Sequence, residues 1–70
     1  MSSESIALTK RQLEVLRLLA EGKSTAEIAG ELGLSRTTVR NYIANVLAAF
    51  GVHSRLQAVI AARRAEILDA

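Results

Sequence analysis

An all-α fold of four short helices is predicted by three features of the 70-residue sequence. Half of its residues are hydrophobic, yet it has no proline, only 3% aromatic residues and few β-branched runs, so strand signals are absent. A Ser or Thr followed three positions later by Gln or Glu recurs at Thr9 and Gln12, Ser24 and Glu27, and Ser54 and Gln57, the pattern in which the first amides of a helix are closed reciprocally. Gly22, Gly33 and Gly51 stand where a left-handed residue ends a helix. With Ser35 as a fourth cap lacking the reciprocal partner, these signals place helices at about 10–21, 25–32, 36–49 and 55–68. Residues 1–7 read as a short N-terminal tail and residues 8–70 as one domain.

The first helix carries Leu13, Val15, Leu16, Leu19 and Ala20 as an apolar face, with Leu18 at its edge and Ile6 and Leu8 packing from the tail. In the second, Ile28, Ala29 and Leu32 point one way while Glu27 and Glu31 point to water. Only Gly33, Leu34 and Ser35 separate it from the third, a tight turn with one apolar plug. A short helix, a three-residue turn containing Gly and a longer helix with a polar outer face form a helix-turn-helix.

The third helix has two unlike sides. Val39, Ile43, Val46 and Phe50 share one stripe, flanked by Tyr42 and Leu47, which faces a core. Opposite them Thr37, Arg40, Asn41 and Ala44 follow i, i+3, i+4, i+7 spacing, with Ala48 one turn further. Arg and Asn can make paired hydrogen bonds to base edges, and small Ala residues allow close approach, so this side reads as a recognition surface for DNA. Tyr42 reads as a core-edge side chain rather than a base reader. The fourth helix is apolar over more of its circumference than one core contact needs. Two readings stay open: harmlessly exposed alanines, or a self-association face made of Leu56, Val59 or Ile60, and Arg63.

Net charge is only +2, but its distribution is uneven. Residues 1–31 hold four Lys/Arg and five Glu, whereas residues 32–65 hold five Arg (36, 40, 55, 63, 64) and no acid. That one-signed block keeps phosphate-repelling carboxylates away from the recognition surface. Without Cys, and with His53 as the only imidazole, a structural zinc is excluded and no cofactor is expected. His53 reads as a surface side chain of a turn. No nucleophile, base and orienting group are paired, so an enzyme is rejected. No apolar run approaches a membrane span, and Met1 to Ser5 lacks the regions of a signal peptide, which gives a cytoplasmic expectation and no membrane partner. A domain this small buries roughly 60% of the surface its unfolded chain exposes, so stability is expected to be modest.

Leu8-Thr9, Arg11, Glu14-Val15-Leu16, Leu19-Ala20-Glu21-Gly22, Glu27-Ile28-Ala29, Leu32-Gly33-Leu34-Ser35, Thr38-Val39, Val46-Leu47, Gly51-Val52, Ser54-Arg55 and Ala58 together resemble the LuxR-type (GerE-like) helix-turn-helix domain. The resemblance covers about Leu8 to Ala62, and the Leu-Thr opening and the Gly-Val-x-Ser-Arg run distinguish it from a generic helix-turn-helix. It implies a four-helix, sequence-specific DNA-binding domain of a transcription regulator. Such domains dimerise through the last helix and are commonly attached to a receiver or ligand-binding domain, which these residues do not contain. Carried over, the base-reading positions fall on Thr37, Arg40, Asn41 and Ala44, and the phosphate contacts on Ser24, Thr25, Ser35, Arg36, Thr38 and Asn45. The dimer interface falls on Leu56, Val59, Ile60 and Arg63. Tyr42 stands where His is more usual, Gln12 where Glu is and Phe50 where Leu is; Ala44, Ala48 and Ala49 hold places that are often polar or basic. Those alanines weaken the salt-sensitive part of binding and make the contact at Ala44 apolar, suited to a thymine methyl. The alternatives are a small helical protein-interaction module, using the fourth helix and the Ala-rich end of the third, and the promoter-binding region of a sigma factor.

Overall fold

The structure is a computed structural model and describes residues 8–68. Its helices are α1 (Lys10–Ala20), α2 (Thr25–Leu32), α3 (Arg36–Phe50) and α4 (Arg55–Arg64), and no strand occurs among the described residues. The first two capping boxes form completely. Thr9 N–H donates to Gln12 Oε1 at 2.9 Å and Gln12 N–H to Thr9 Oγ1 at 3.1 Å; Ser24 N–H donates to Glu27 Oε1 at 2.8 Å and Glu27 N–H to Ser24 Oγ at 3.1 Å. The third does not close as predicted. Gln57 N–H donates to Ser54 Oγ at 3.1 Å, but the Gln57 carboxamide accepts from His53 N–H at 3.0 Å rather than from Ser54. The cause is backbone: Ser54 has φ −140°, against −70° at Thr9 and −78° at Ser24, which changes the direction of its own amide.

All four helices close with the same chain reversal, in which the amide of the residue directly after the left-handed one reaches back into the last turn. Lys23 N–H donates to Leu18 O at 3.1 Å, Leu34 to Ala29 at 3.0 Å, Val52 to Leu47 at 3.1 Å and Ile67 to Ala62 at 2.9 Å. Three reversals use a glycine; the fourth uses Glu66, at φ 59°. Helix α4 therefore ends at Arg64, not at the predicted residue 68. A non-glycine residue in this region costs about 1–2 kcal/mol. The reversal returns Leu68 to the core at 7% exposure, and burying a leucine is worth about 1.5–3 kcal/mol. The two are comparable, so a stop without glycine is tolerable here.

The core is built from Val15, Leu16 and Leu19 of α1, Ile28 and Ala29 of α2, Val39, Ile43 and Val46 of α3, and Ala58, Val59 and Ala62 of α4, closed by Leu68. Helix α3 packs on all three others, and α1 likewise; α2 and α4 are the one pair that do not pack on each other. This arrangement settles which α4 residues face out. Val59, grouped by sequence with the self-association face, is buried at 7% exposure, while Leu56 and Ile60 are exposed at 69% and 41%. The outward face is therefore Leu56, Ile60 and Arg63. Leu8 packs against the core as expected, and Ile6 lies outside the described residues. No single described helix is long and apolar enough to cross a membrane; α3 and α4 reach that composition only together, bent by 51°.

Candidate nucleic-acid interface

Because α1, α2 and α4 all pack on the Val39–Ile43–Val46 stripe, the opposite flank of α3 is left open. Thr37, Arg40, Asn41, Ala44, Asn45 and Ala48 are exposed on it. Among the described residues, the side chains of Arg40 and Asn41 make no hydrogen bond or ion pair within the chain, so their donors and acceptors are available to a partner. Tyr42 is half-buried and packs against the core, the edge position read from the sequence. Helix α3 carries no acid in its first turn and begins with exposed Arg36. A cation beside the positive end of a helix dipole is disfavoured on its own, and the same place suits an anionic oxygen.

The residues assigned to phosphate contact lie at two helix starts, Ser24 and Thr25 at α2 and Ser35, Arg36 and Thr38 at α3, with Asn45 two turns along α3. Their hydroxyls are not equivalent. Ser35 Oγ accepts from Thr38 N–H at 3.1 Å and donates to Thr38 Oγ1 at 2.9 Å. A hydroxyl has one hydrogen, and in this arrangement that of Ser35 is directed at Thr38. Thr38, which receives that hydrogen, keeps its own free to donate. Ser24 Oγ caps Glu27 N–H and needs no donor there. Thr25 Oγ1 accepts from Arg55 Nη2 at 2.8 Å. From sequence, Arg55 figures in the basic block and in the Gly-Val-x-Ser-Arg run, and neither points to this contact. The signal available was an Arg at the first position of a helix, where the dipole disfavours a cation.

Two charged groups flank the α2 start. The Ser24 backbone N–H, and then the Ser24 hydroxyl, hold the Glu27 carboxyl below its ordinary range. A hydrogen bond to Glu31 raises Lys23 above its ordinary value, with Nζ and Oε2 2.9 Å apart. Both sit in water, so their electrostatic effects are screened. For Glu27 the sign is set: a carboxyl lowered in the folded state stabilises above the ordinary glutamate value, about 4.3, and that stabilisation is lost as pH falls through the lower folded value. Glu27→Gln keeps an oxygen to accept from Ser24 and removes the charge. Thermal melts between pH 6 and pH 2 are expected to show a shallower acid decline for the variant; identical declines would mean Glu27 does not contribute.

The comparisons with known proteins agree with this geometry. Residues 6–62 match the family model described as GerE, bacterial regulatory proteins, luxR family. The spore germination protein GerE of Bacillus subtilis is 53% identical over 53 residues, covering 76% of this chain and 72% of that protein. The solved structure of the transcription factor GerE superposes with a TM-score of 0.84 and 38% identity over 94% of this chain and 97% of that one. The transcriptional regulatory protein DesR of Bacillus subtilis is 49% identical over 57 residues, 81% of this chain but only 29% of DesR. The Vibrio cholerae VqmA dimer, a LuxR-type receptor, superposes with a TM-score of 0.85 and 35% identity over 93% of this chain and 29% of the VqmA chain. The helix-turn-helix of α2 and α3, completed by α1 and α4, thus belongs to the luxR family of bacterial regulatory proteins, and the chain is a DNA-binding domain of that family.

Proposed function

We propose that the domain binds operator DNA by laying α3 in the major groove, with Thr37, Arg40, Asn41 and Ala44 against base edges. Arg40 is suited to guanine, Asn41 to adenine and Ala44 to a thymine methyl. Arg36, Thr38 and Asn45 from α3, with Ser24 and Thr25 from α2, hold the backbone on either side; Ser35 serves through its cap on Thr38. The observation that carries this reading is the open flank of α3, where Arg40 and Asn41 are exposed without an intramolecular partner among the described residues.

On DNA the domain acts as a homodimer through α4. Leu56 and Ile60 are the large apolar side chains left in water, and Arg63 lies on the same side. Two-fold pairing sets two recognition helices about one DNA turn, roughly 34 Å, apart. The chain spans about 29% of DesR and of VqmA, so in a longer regulator a receiver or ligand-binding domain raises the local concentration of this one or frees α4. The setting is cytoplasmic, where operator DNA is. The luxR match replaces the sigma-factor alternative. The exposure of Leu56 is the one observation that favours a protein-interaction module instead.

Selection from a random DNA pool, followed by sizing of the complex, tests the proposal. Two inverted half-sites about 10 base pairs apart, bound by two chains with affinity that falls steeply as salt rises, are the expected result. No enrichment, or affinity indifferent to salt, would overturn it in favour of a protein partner.

A further inference from the structure

We infer that Arg55 is a positioning residue for DNA binding: it fixes the Thr25 hydroxyl as a donor to a backbone phosphate. The inference rests on the DNA-binding reading above and adds a residue that reading did not include. The bond from Arg55 Nη2 to Thr25 Oγ1 is 2.8 Å long and spans 30 residues of sequence. It joins the first residue of α4 to the first residue of α2, the two helices that otherwise do not pack on each other. Its direction matters. A threonine hydroxyl has one hydrogen and two lone pairs; with a lone pair held by the guanidinium, the hydrogen is directed elsewhere and the oxygen is polarised by a full charge. Among the described residues no side chain accepts that hydrogen. The Glu27 carboxylate is bound to Ser24 N–H at 2.8 Å, Glu31 is paired with Lys23 at 2.9 Å, and Arg55 has no carboxylate partner among the described residues. Arg55 therefore orders a side chain at the start of α2 while anchoring it to the helix that carries the proposed dimer face.

The test compares wild type with Arg55→Gln, Thr25→Val and the double variant. Arg55 is exposed and Thr25 is half-buried at the first residue of its helix, outside the core, so melting temperatures are expected to stay close to wild type, which shows that each variant folds. In the free protein, scalar couplings across the Thr25 χ1 bond are expected to report a single rotamer in wild type and an average in Arg55→Gln. Binding to a random-sequence duplex is expected to fall roughly fivefold in each single variant, the size of one lost hydrogen bond, and no further in the double variant. The loss is the same on any sequence, because phosphate contacts position the protein and do not read bases. Unchanged couplings in Arg55→Gln would overturn the inference. So would losses that multiply to roughly 25-fold in the double variant, or a salt slope reduced by about one in Arg55→Gln on a Thr25→Val background, since either makes Arg55 a phosphate contact in its own right. Failure of the wild type to bind any duplex at low salt would instead overturn the DNA-binding reading, and this inference with it, while the couplings report separately on the Arg55–Thr25 contact.

Discussion

Arg40→Ala is expected to weaken binding to the selected operator by about 1–3 kcal/mol, roughly 5- to 150-fold, and to relax the preference at one guanine. Its side chain is exposed and makes no ion pair or hydrogen bond among the described residues, so its removal leaves the fold intact. The whole effect is then expected in the complex. Affinity for random DNA is expected to change far less, because a base contact adds little where the base is wrong. Arg36→Ala gives the contrast: Arg36 stands at the α3 start, among the residues proposed to contact phosphate, so its loss is expected to weaken all sequences alike and lower the salt slope by about one. Fluorescence anisotropy on operator and random duplexes at several salt concentrations separates the two patterns. If Arg40→Ala weakens every sequence equally, the residue contacts phosphate and the proposed register of α3 on the bases is wrong.

The second large effect concerns stability. Leu16 is fully buried on α1 and belongs to the same cluster as Val39, Ile43 and Val46 of α3. Truncating a buried leucine to alanine costs about 2–5 kcal/mol, part from lost transfer energy and part from the cavity left behind. At 0.05–0.15 kcal/mol per residue, a domain of this size holds roughly 4–10 kcal/mol in all. Leu16→Ala is therefore expected to remove a large share of the total stability. At about 4–8 °C per kcal/mol the melting temperature should fall by about 8 °C or more. Urea titration should show a lower midpoint with an unchanged slope. A loss below about 1 kcal/mol would mean that α1 does not hold the recognition helix in place. The functional corollary is that operator affinity of Leu16→Ala, corrected for the folded fraction, stays near wild type, because the open flank of α3 itself is untouched.

The recognition helix was legible in the sequence because one local rule decides it. A period of 3.6 residues separates Val39, Ile43 and Val46 from Arg40, Asn41 and Ala44, and the structure buries the first set and exposes the second. The cap at Ser35 and the glycine stops at Gly33 and Gly51 were equally local. The misses each involve something that neighbours in sequence do not encode. Glu66 ends α4 in a conformation that glycine usually marks, and the compensating burial belongs to Leu68. The shifted partner of Gln57 depends on the φ of Ser54. Val59 and Ile60 are adjacent in sequence, so the rotation of α4 against α1 and α3 decides which is buried, and the composition of α4 alone leaves both open. The Arg55–Thr25 bond crosses 30 residues and connects helices that share no packing surface, so only the assembled fold reveals it.

The most direct check is an amide and side-chain NMR titration of the domain with a duplex carrying a single selected half-site, at low salt. The account predicts the largest shifts at Thr37, Arg40, Asn41 and Ala44, smaller ones at Ser24, Thr25, Arg36 and Thr38, and little change at Leu56 and Ile60. Shifts centred on Leu56 and Ile60, with the Arg40 and Asn41 side chains unmoved, would contradict it.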